Sequence, residues 1–206
     1  MRCSSLLLSM VLWLVPLVAL SDTEAGVGRL NFGGHKETTN CTAFLTERGH
    51  LVTAAHCLNL PEDAKLHFLE RYDRGGWTRH LELLLDWFAR DGLKDLAVIC
   101  QAVPADGGAL AVSERPLAVG EQLEVWGYGA PRSHVLQQRT CPLLRASNDG
   151  TLVLGCDVSG GTSGAPVLRR KGAGREVVGV VWGTDVARSY AHRLTSELLE
   201  HHCGGS

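Results

Sequence analysis

The sequence predicts an all-β protein, either a sandwich or a barrel. Short apolar or β-branched runs alternate with turn residues along most of the chain, as expected for many short strands. The chain contains 24 glycines, and no predicted strand is followed by a long amphipathic helix of the kind that joins parallel strands. The predicted strands are 42–45, 51–54, 65–69, 96–100, 123–126, 151–154, 165–168 and 177–182.

One helix is expected at the end of the chain. Over 189–202, Leu194, Leu198 and Leu199 would share one helical face. The stretch 81–88 is apolar enough to form either a weaker helix or a strand.

The first residues have the pattern of a signal peptide. An almost entirely apolar run, 6–20, follows Arg2, and the small residues Ala19 and Ser21 lie at the positions that a signal peptidase reads. A transmembrane anchor is the alternative, but the run is shorter than the roughly 20 apolar residues that a span needs. We therefore expect a signal peptide over 1–21 and a mature chain that is secreted or periplasmic.

Charge and cysteine content limit the partners and cofactors. The formal net charge is −2, so we expect no nucleic-acid partner and, once the signal is removed, no membrane partner. Six cysteines follow residue 21, and an even number in an exported chain indicates disulfides. Their spacing fits no zinc motif, and no acidic loop suits calcium. The tail 201–203 could ligate a metal, but we interpret it as solvated, with one disulfide cysteine, and expect no metal and no cofactor.

A serine lies in a glycine-rich segment, 160–167, with the sequence GGTSGAPV. The small neighbours of Ser163 would let a carbonyl group approach the backbone, and the N–H groups of Gly161 and Ser163 could converge on one oxyanion. Glycine-serine segments are also common as ordinary turns. This segment alone therefore favours catalysis only modestly.

A histidine follows the apolar strand in segment 51–58, LVTAAHCL. His56 is beside Cys57, and Cys41 lies before the intervening hairpin. A Cys41–Cys57 bridge would close that hairpin and hold His56 on its rim.

Three segments in order carry a resemblance to a known family. Segments 41–45 and 51–57 resemble the histidine region of trypsin-like serine peptidases, and Ser163 resembles their nucleophile. The ending SGAPV is similar to the bacterial trypsin-like and glutamyl-endopeptidase-like branch. The family also has an aspartate between the histidine and the serine. Asp95, which opens the strand DLAVI, matches this aspartate, whereas Asp91 is better interpreted as a turn residue. The order histidine, aspartate, serine matches the chymotrypsin-like order.

This resemblance, which covers about 28–199, implies a fold and a mechanism. The fold would be two packed six-stranded antiparallel β-barrels with a short C-terminal helix, the halves being roughly 28–115 and 116–188 within a domain of 22–206. Ser163 would be the nucleophile, His56 its general base and Asp95 the residue that orients the histidine. Gly161 and Ser163 would form the oxyanion hole.

Substrate-binding residues are also implied. By resemblance, the strand containing Val181, Trp182 and Gly183 pairs with the substrate backbone and forms one wall of the specificity pocket. Asp157 has the spacing of the residue that selects arginine or lysine in trypsin, but a structural role is equally supported. Val181 disfavours glutamate specificity, because the staphylococcal-type enzymes carry a histidine there.

Two departures from the family affect activation and the aspartate. Trypsins have an aspartate before the nucleophile that pairs with a newly cut N-terminus, but this chain has Thr162. Cleavage after Arg29 would also give a poor match to the usual new terminus, so signal removal is expected to suffice. Val181 replaces the serine that usually bonds the aspartate, so Asp95 needs other donors.

The remaining cysteines and the function leave alternatives open. Cys141 and Cys156 flank a predicted turn at 148–150 and are a plausible pair, which leaves Cys100 with Cys203. We expect a monomeric endopeptidase acting on proteins or peptides and open to protein inhibitors. An inactive binding protein of the same fold, an esterase or acyl-transferase with the same serine, and a β-sandwich adhesin are the alternatives.

Overall fold

The computed structural model describes 26–32, 40–59, 65–83, 89–91, 94–104 and 110–204, with backbone only for 89–91. The predicted signal peptide, 1–21, lies outside the described residues. Within the described ranges, no helix is both long enough and apolar enough to cross a membrane.

The first half of the chain forms a curled antiparallel sheet. Its strand order is β5-β4-β1-β2-β3-β7-β6. The two edge strands are consecutive in the chain, so the sheet curls back on itself. The strands are β1 (Val27–Phe32), β2 (Cys41–Leu45), β3 (Leu51–Thr53), β4 (Leu66–Glu70), β5 (Arg79–Leu83), β6 (Ala89–Asp91) and β7 (Leu96–Ile99).

The second half forms a closed barrel. The strand order is β12-β9-β10-β11-β14-β13-β8, and an additional pairing of β12 with β13 closes six of these strands into a ring. The short strand β8 is attached to β13 in parallel. The strands are β8 (Ala111–Val112), β9 (Gln122–Gly127), β10 (Gln137–Ala146), β11 (Thr151–Leu154), β12 (Pro166–Lys171), β13 (Gly174–Thr184) and β14 (Ser189–Arg193). The predicted all-β fold is confirmed, with a closed six-stranded barrel in the second half and a curled half-barrel sheet in the first.

Apolar side chains fill each half and the junction between them. Leu30, Leu45 and Phe68 belong to the core of the first sheet. A separate cluster joins the two halves, and in it Phe44 of β2 and Trp126 of β9 are almost completely buried. Burial of this junction fixes the halves against each other, which positions any site that takes residues from both.

The predicted C-terminal helix is wrong at its beginning. Residues 189–193 form β14, which pairs with β11 on one side and β13 on the other and so completes the barrel. Helix α1 (Ser196–Cys203) begins only after Thr195, whose hydroxyl accepts a hydrogen bond from Leu198 N–H at 3.1 Å. Sheet pairing on both edges thus outweighs the leucine periodicity. The described part of the ambiguous stretch 81–88 is strand, in β5.

Three disulfides link the elements, with the expected pairings. Cys41–Cys57 joins β2 to the turn after β3, and Cys141–Cys156 joins β10 to the segment after β11. Cys100–Cys203 ties the end of β7 to α1 across a sequence separation of 103.

Candidate active site

His56 lies on the rim of the first sheet, at the junction with the second half. Strand β3 passes through Ala54, which is extended, into a 3₁₀ turn at Ala55–Leu58. Within this turn Cys57 and Leu58 are buried whereas His56 is exposed. The disulfide to Cys41 anchors the turn to β2, so the imidazole is held in place but open to solvent.

Asp95 fixes the orientation of this imidazole. It immediately precedes β7, and its carboxylate contacts His56 twice. The His56 backbone N–H donates to Oδ1 at 2.8 Å, and the ring Nδ1 lies 2.5 Å from Oδ2. An ionised carboxylate only accepts hydrogen bonds, so Nδ1 carries the proton, and in the neutral ring Nε2 keeps its lone pair.

Ser163 lies in a loop, residues 159–165, which we name the nucleophile loop after the role that the sequence predicts for this serine. The loop contacts the first sheet closely, because Thr42 N–H donates to the Ser163 carbonyl at 2.8 Å. The Sγ of Cys57, next to His56 in sequence, lies 3.8 Å from the same carbonyl oxygen. The half-buried Ser163 is therefore brought to the edge of the sheet that carries His56.

Glycine is required at position 164 for this approach. Gly164 has a φ of +82°, and a Cβ there would lie 2.1 Å from the Thr42 carbonyl oxygen and 2.2 Å from Thr53 Oγ1. Only glycine combines this backbone conformation with so close a contact.

The two N–H groups expected to bind an oxyanion are open. The Gly160 carbonyl accepts from Ala130 N–H at 2.8 Å. Since C=O and N–H point in opposite directions in a trans peptide, the Gly161 N–H points away from Ala130. Among the described residues, neither the Gly161 N–H nor the Ser163 N–H donates to another protein group.

Strand β13 lies directly beside the nucleophile loop. Val181 is almost fully buried, its N–H donates to the Ala165 carbonyl at 2.9 Å, and its carbonyl accepts from Gly164 N–H at 2.7 Å. Trp182 follows on the same strand. A Cβ at Gly183 would meet no atom within 4 Å, so the space beside that residue is open.

Asp157 faces a different space. Its exposed side chain lines a cavity of about 210 Å³, with Gln137 and Arg139 of β10 and with Ser159 and Thr162 of the nucleophile loop. The strand that carries Val181, Trp182 and Gly183 contributes none of the residues that line this cavity. The structure thus brings His56, Asp95, Ser163 and β13 together, whereas Asp157 lines a cavity with Ser159 and Thr162 of the nucleophile loop.

His192 belongs to the site and was missed from the sequence, because the helix prediction hid its place on β14. It is buried, and its Nε2 accepts from Asp95 N–H at 3.3 Å. The ring stacks on Trp182 with centroids 5.5 Å apart and planes at 19°. Because the side chain of Val181 has no hydrogen-bond donor, His56 holds the carboxylate of Asp95 and His192 holds its backbone N–H. The alternation of Tyr190 and His192 with small buried residues was the available signal for a strand.

Tyr190 and the turn after β13 complete the surroundings of Trp182. The Tyr190 ring lies 5.5 Å from the Trp182 ring, and its hydroxyl donates to Asp185 at 2.6 Å. This hydrogen bond raises the pKa of Tyr190 and lowers that of Asp185. Asp185 also accepts from the Ala187 and Arg188 N–H groups, so one carboxylate orders the turn.

Potential metal-ligating groups in the described ranges involve disulfide cysteines. One group is Cys41, His56 and Cys57, and the other is His50, Cys100 and Cys203. The sulfurs in both groups are already bonded to each other. Thiolate is the form of cysteine that binds metals, so neither group offers a metal its cysteine ligands while oxidised.

The histidine, aspartate and serine above lie where the two halves of the fold meet. Residues 41–180 match the trypsin-like peptidase domain. The chain therefore belongs to the trypsin-like peptidase family. No curated protein sequence matches it.

Solved structures with the same fold are serine proteases of low sequence identity. The thermostable serine protease AL20 from an extremophilic microorganism is 17% identical with a TM-score of 0.66, covering 89% of this chain and 97% of its own. The serine endoprotease from Yersinia pestis is 16% identical with a TM-score of 0.67, covering 88% and 63%. The Rv3671c protease in an inactive form is 18% identical with a TM-score of 0.63, covering 84% and 86%. A Ser343Ala mutant of Rv3671c from M. tuberculosis is also similar. At these identities the likeness shows the fold alone.

Proposed function

We propose that the chain is a secreted serine endopeptidase in which Ser163, His56 and Asp95 form the catalytic triad. The observation that carries the proposal is the pairing of His56 Nδ1 with Asp95 Oδ2 at 2.5 Å, on the rim that the nucleophile loop contacts. The serine-bearing loop comes from one half and the histidine and aspartate from the other.

The hydrogen bond between His56 and Asp95 leaves His56 able to act as a base for a serine nucleophile. A serine hydroxyl is a weak nucleophile and needs a base to take its proton. Because Asp95 engages Nδ1, His56 Nε2 is the nitrogen that would accept the Ser163 proton and later donate it to the leaving amine. Attack on a peptide carbonyl forms an acyl-enzyme, which water then hydrolyses.

The open N–H groups of Gly161 and Ser163 would stabilise the tetrahedral oxyanion. Each such donor is worth about 2.7–4 kcal/mol of transition-state stabilisation in serine proteases. Their lack of acceptors among the described residues supports this role, because donors already bonded to protein groups could not bind the oxyanion.

The position of Arg29 in the middle of the first sheet opposes activation by cleavage after this residue. Arg29 is fully buried in β1, which pairs with β2 on one side and β4 on the other. A cut there would open the middle of the first sheet. We propose that removal of a signal peptide over 1–21 suffices, and that the mature monomer acts outside the cell or in a periplasm.

Covalent labelling tests the triad. The chain from Asp22 onward, produced under oxidising conditions, is treated with a fluorophosphonate. We expect the wild type to be labelled and Ser163→Ala to remain unlabelled, and we expect Asp95→Asn to react about 10⁴-fold more slowly. Ser133→Ala is the matched control because this half-buried serine lies in the turn before β10, outside the nucleophile loop. Its labelling should equal that of the wild type.

Substrate profiling separates the remaining functions. Cleavage of internal bonds in a peptide library indicates an endopeptidase, whereas hydrolysis of esters alone indicates an esterase. The same library with Asp157→Asn decides whether Asp157 selects arginine and lysine. A folded, disulfide-complete wild type that does not label would contradict the enzyme and favour a binding protein of the same fold.

A further inference from the structure

Thr42 connects the nucleophile loop to the first sheet through its side chain. This residue follows Cys41 on β2 and has no solvent exposure. Its Oγ1 donates to the Gly161 carbonyl at 2.9 Å and accepts from Tyr128 N–H at 2.9 Å. A hydroxyl has one proton, and since Tyr128 N–H occupies a lone pair, the proton is free to point at Gly161.

The backbone of Thr42 is engaged as well. Its N–H donates to the Ser163 carbonyl at 2.8 Å, and its carbonyl accepts from Thr53 Oγ1 at 2.8 Å. The residue thus binds the nucleophile loop at Gly161 and at Ser163. The backbone contact persists with any side chain, whereas the Gly161 contact depends on the hydroxyl.

The hydroxyl matters because the loop is flexible by composition. Gly160 and Gly161 are adjacent, and Gly161 has a φ of +95°. Glycine readily adopts several backbone conformations, so the direction of the Gly161 N–H must be set by contacts. Two successive carbonyls are held: Gly160 by Ala130 N–H and Gly161 by Thr42 Oγ1. The Gly161 N–H shares a peptide plane with the Gly160 carbonyl, and the Gly161 carbonyl lies in the next plane. Holding both planes restricts rotation about the Gly161 Cα and so fixes the direction of its N–H.

Asn40 supports the same arrangement. Its Nδ2 donates to the Tyr128 carbonyl at 2.9 Å, so both the N–H and the carbonyl of Tyr128 are held by residues at the start of β2. A Cβ at Gly161 would lie 2.5 Å from the Tyr128 oxygen. The loop therefore rests on a surface whose position depends on Asn40 and Thr42.

We infer that Thr42 is a positioning residue whose hydroxyl holds the Gly161 carbonyl and so fixes the Gly161 conformation in which its N–H faces the developing oxyanion. The inference rests on the proposed function. Preorganised donors act mainly on the transition state and little on substrate binding. Loss of the hydroxyl should therefore lower kcat and leave KM almost unchanged.

The test compares Thr42→Val with Thr42→Ser. Valine keeps the shape and removes both hydrogen bonds, whereas serine keeps the hydroxyl. We expect Thr42→Val to lower kcat and the fluorophosphonate labelling rate by about 10²-fold, the effect of losing one oxyanion donor, with KM changed by less than about threefold. Thr42→Ser should remain within about threefold of the wild type.

Thr46→Val is the matched control for lost stability. Thr46 is also a buried threonine whose hydroxyl bonds a backbone N–H, that of His50, but it has no hydrogen bond to the nucleophile loop. It should lose stability without losing kcat. If Thr42→Val does not fold, the smaller Thr42→Ala is measured in its place with the same expectation.

Three results would overturn the inference while leaving the proposed function intact. These are an unchanged kcat in the hydroxyl-free variant, an equal loss in Thr42→Ser, and a loss confined to KM. A wild type that neither labels nor cleaves would instead overturn the proposed function and this inference together.

Discussion

His192 links Asp95 to Trp182 of strand β13. Its Nε2 accepts from Asp95 N–H, and its ring stacks on Trp182. We predict that His192→Phe, which keeps an aromatic ring but removes the acceptor, lowers kcat/KM up to about tenfold. A neutral hydrogen bond is worth about 1 kcal/mol, and 1.4 kcal/mol corresponds to tenfold in rate. The measurement is steady-state cleavage of a peptide substrate.

His80→Phe is the control for that prediction. His80 also lies beside a tryptophan, with its ring 5.7 Å from that of Trp77, but on the outer face of β5. The His80→Phe variant should cleave the peptide substrate at the wild-type rate. Equal rates for the two variants would show that the bond to Asp95 does not contribute.

His50 makes the stability depend on pH. It is buried, its Nδ1 accepts from Gln101 N–H at 3.1 Å, and desolvation, with a smaller effect of Arg48, lowers its pKa below the ordinary 6.5. Below pH 6.5 the unfolded chain therefore binds a proton that the folded chain does not, and the free energy of unfolding falls. The contribution of His50 to the free energy of unfolding is complete above pH 6.5 and is lost as the pH drops toward the pKa of His50 in the folded chain.

Replacing His50 by Asn tests the direction of this pH dependence of stability. Asparagine retains an acceptor for Gln101 N–H but does not titrate. We predict that the urea midpoint falls less between pH 7 and pH 5 in His50→Asn than in the wild type. Parallel pH profiles for the two proteins would contradict the assignment.

At the level of elements, the nucleophile loop depends on Gly164. We predict that Gly164→Ala lowers the free energy of unfolding by about 2 kcal/mol or more, because its φ is positive and a Cβ would contact Thr42 and Thr53. Labelling by fluorophosphonate should be lost. Gly160→Ala is the comparison, since a Cβ there meets no atom within 4 Å. Its urea midpoint should remain near that of the wild type, and similar midpoints for both variants would refute the steric argument.

Strands with continuous apolar runs were predictable, and polar ones were not. Strands β3, β7 and β11 are short, mainly apolar runs rich in leucine and valine, and their bounds nearly match the expectation. Strand β10 was missed because half of its residues are polar and it contains Pro142. Strand β14 was missed because its identity depends on two partners, β11 and β13, that are distant in sequence.

For the whole molecule, motif order could predict the halves and the candidate triad, but not the contacts between the halves. His56, Asp95 and Ser163 are recognisable because each lies in a distinctive local sequence. Thr42 and His192 have no such signal, since their roles come from carbonyl and N–H groups far along the chain. Asp157 shows the same limit, because its spacing from Ser163 could not show that it lines a cavity with Gln137 and Arg139 of β10.

Long-range contacts also hold the connection between the halves. The buried Arg169 of β12 donates to both carboxylate oxygens of Glu121 and to the carbonyls of Arg115 and Pro116. Its hydrogen bonds lower the pKa of Glu121. The segment that leads from one half to the other is thereby docked on the second barrel.

The support that Asn40 gives to Tyr128 affects how the protein can be produced. Asn40, Cys41 and Thr42 form the Asn-x-Thr acceptor pattern for N-linked glycosylation. The Asn40 Nδ2 donates to the Tyr128 carbonyl. A Cβ at Gly161 would lie 3.0 Å from this Nδ2 atom. A sugar attached to that nitrogen would need space that the nucleophile loop and its support occupy. Secretion from a eukaryotic host that modifies this asparagine before folding would therefore give a chain whose loop cannot close onto the first sheet.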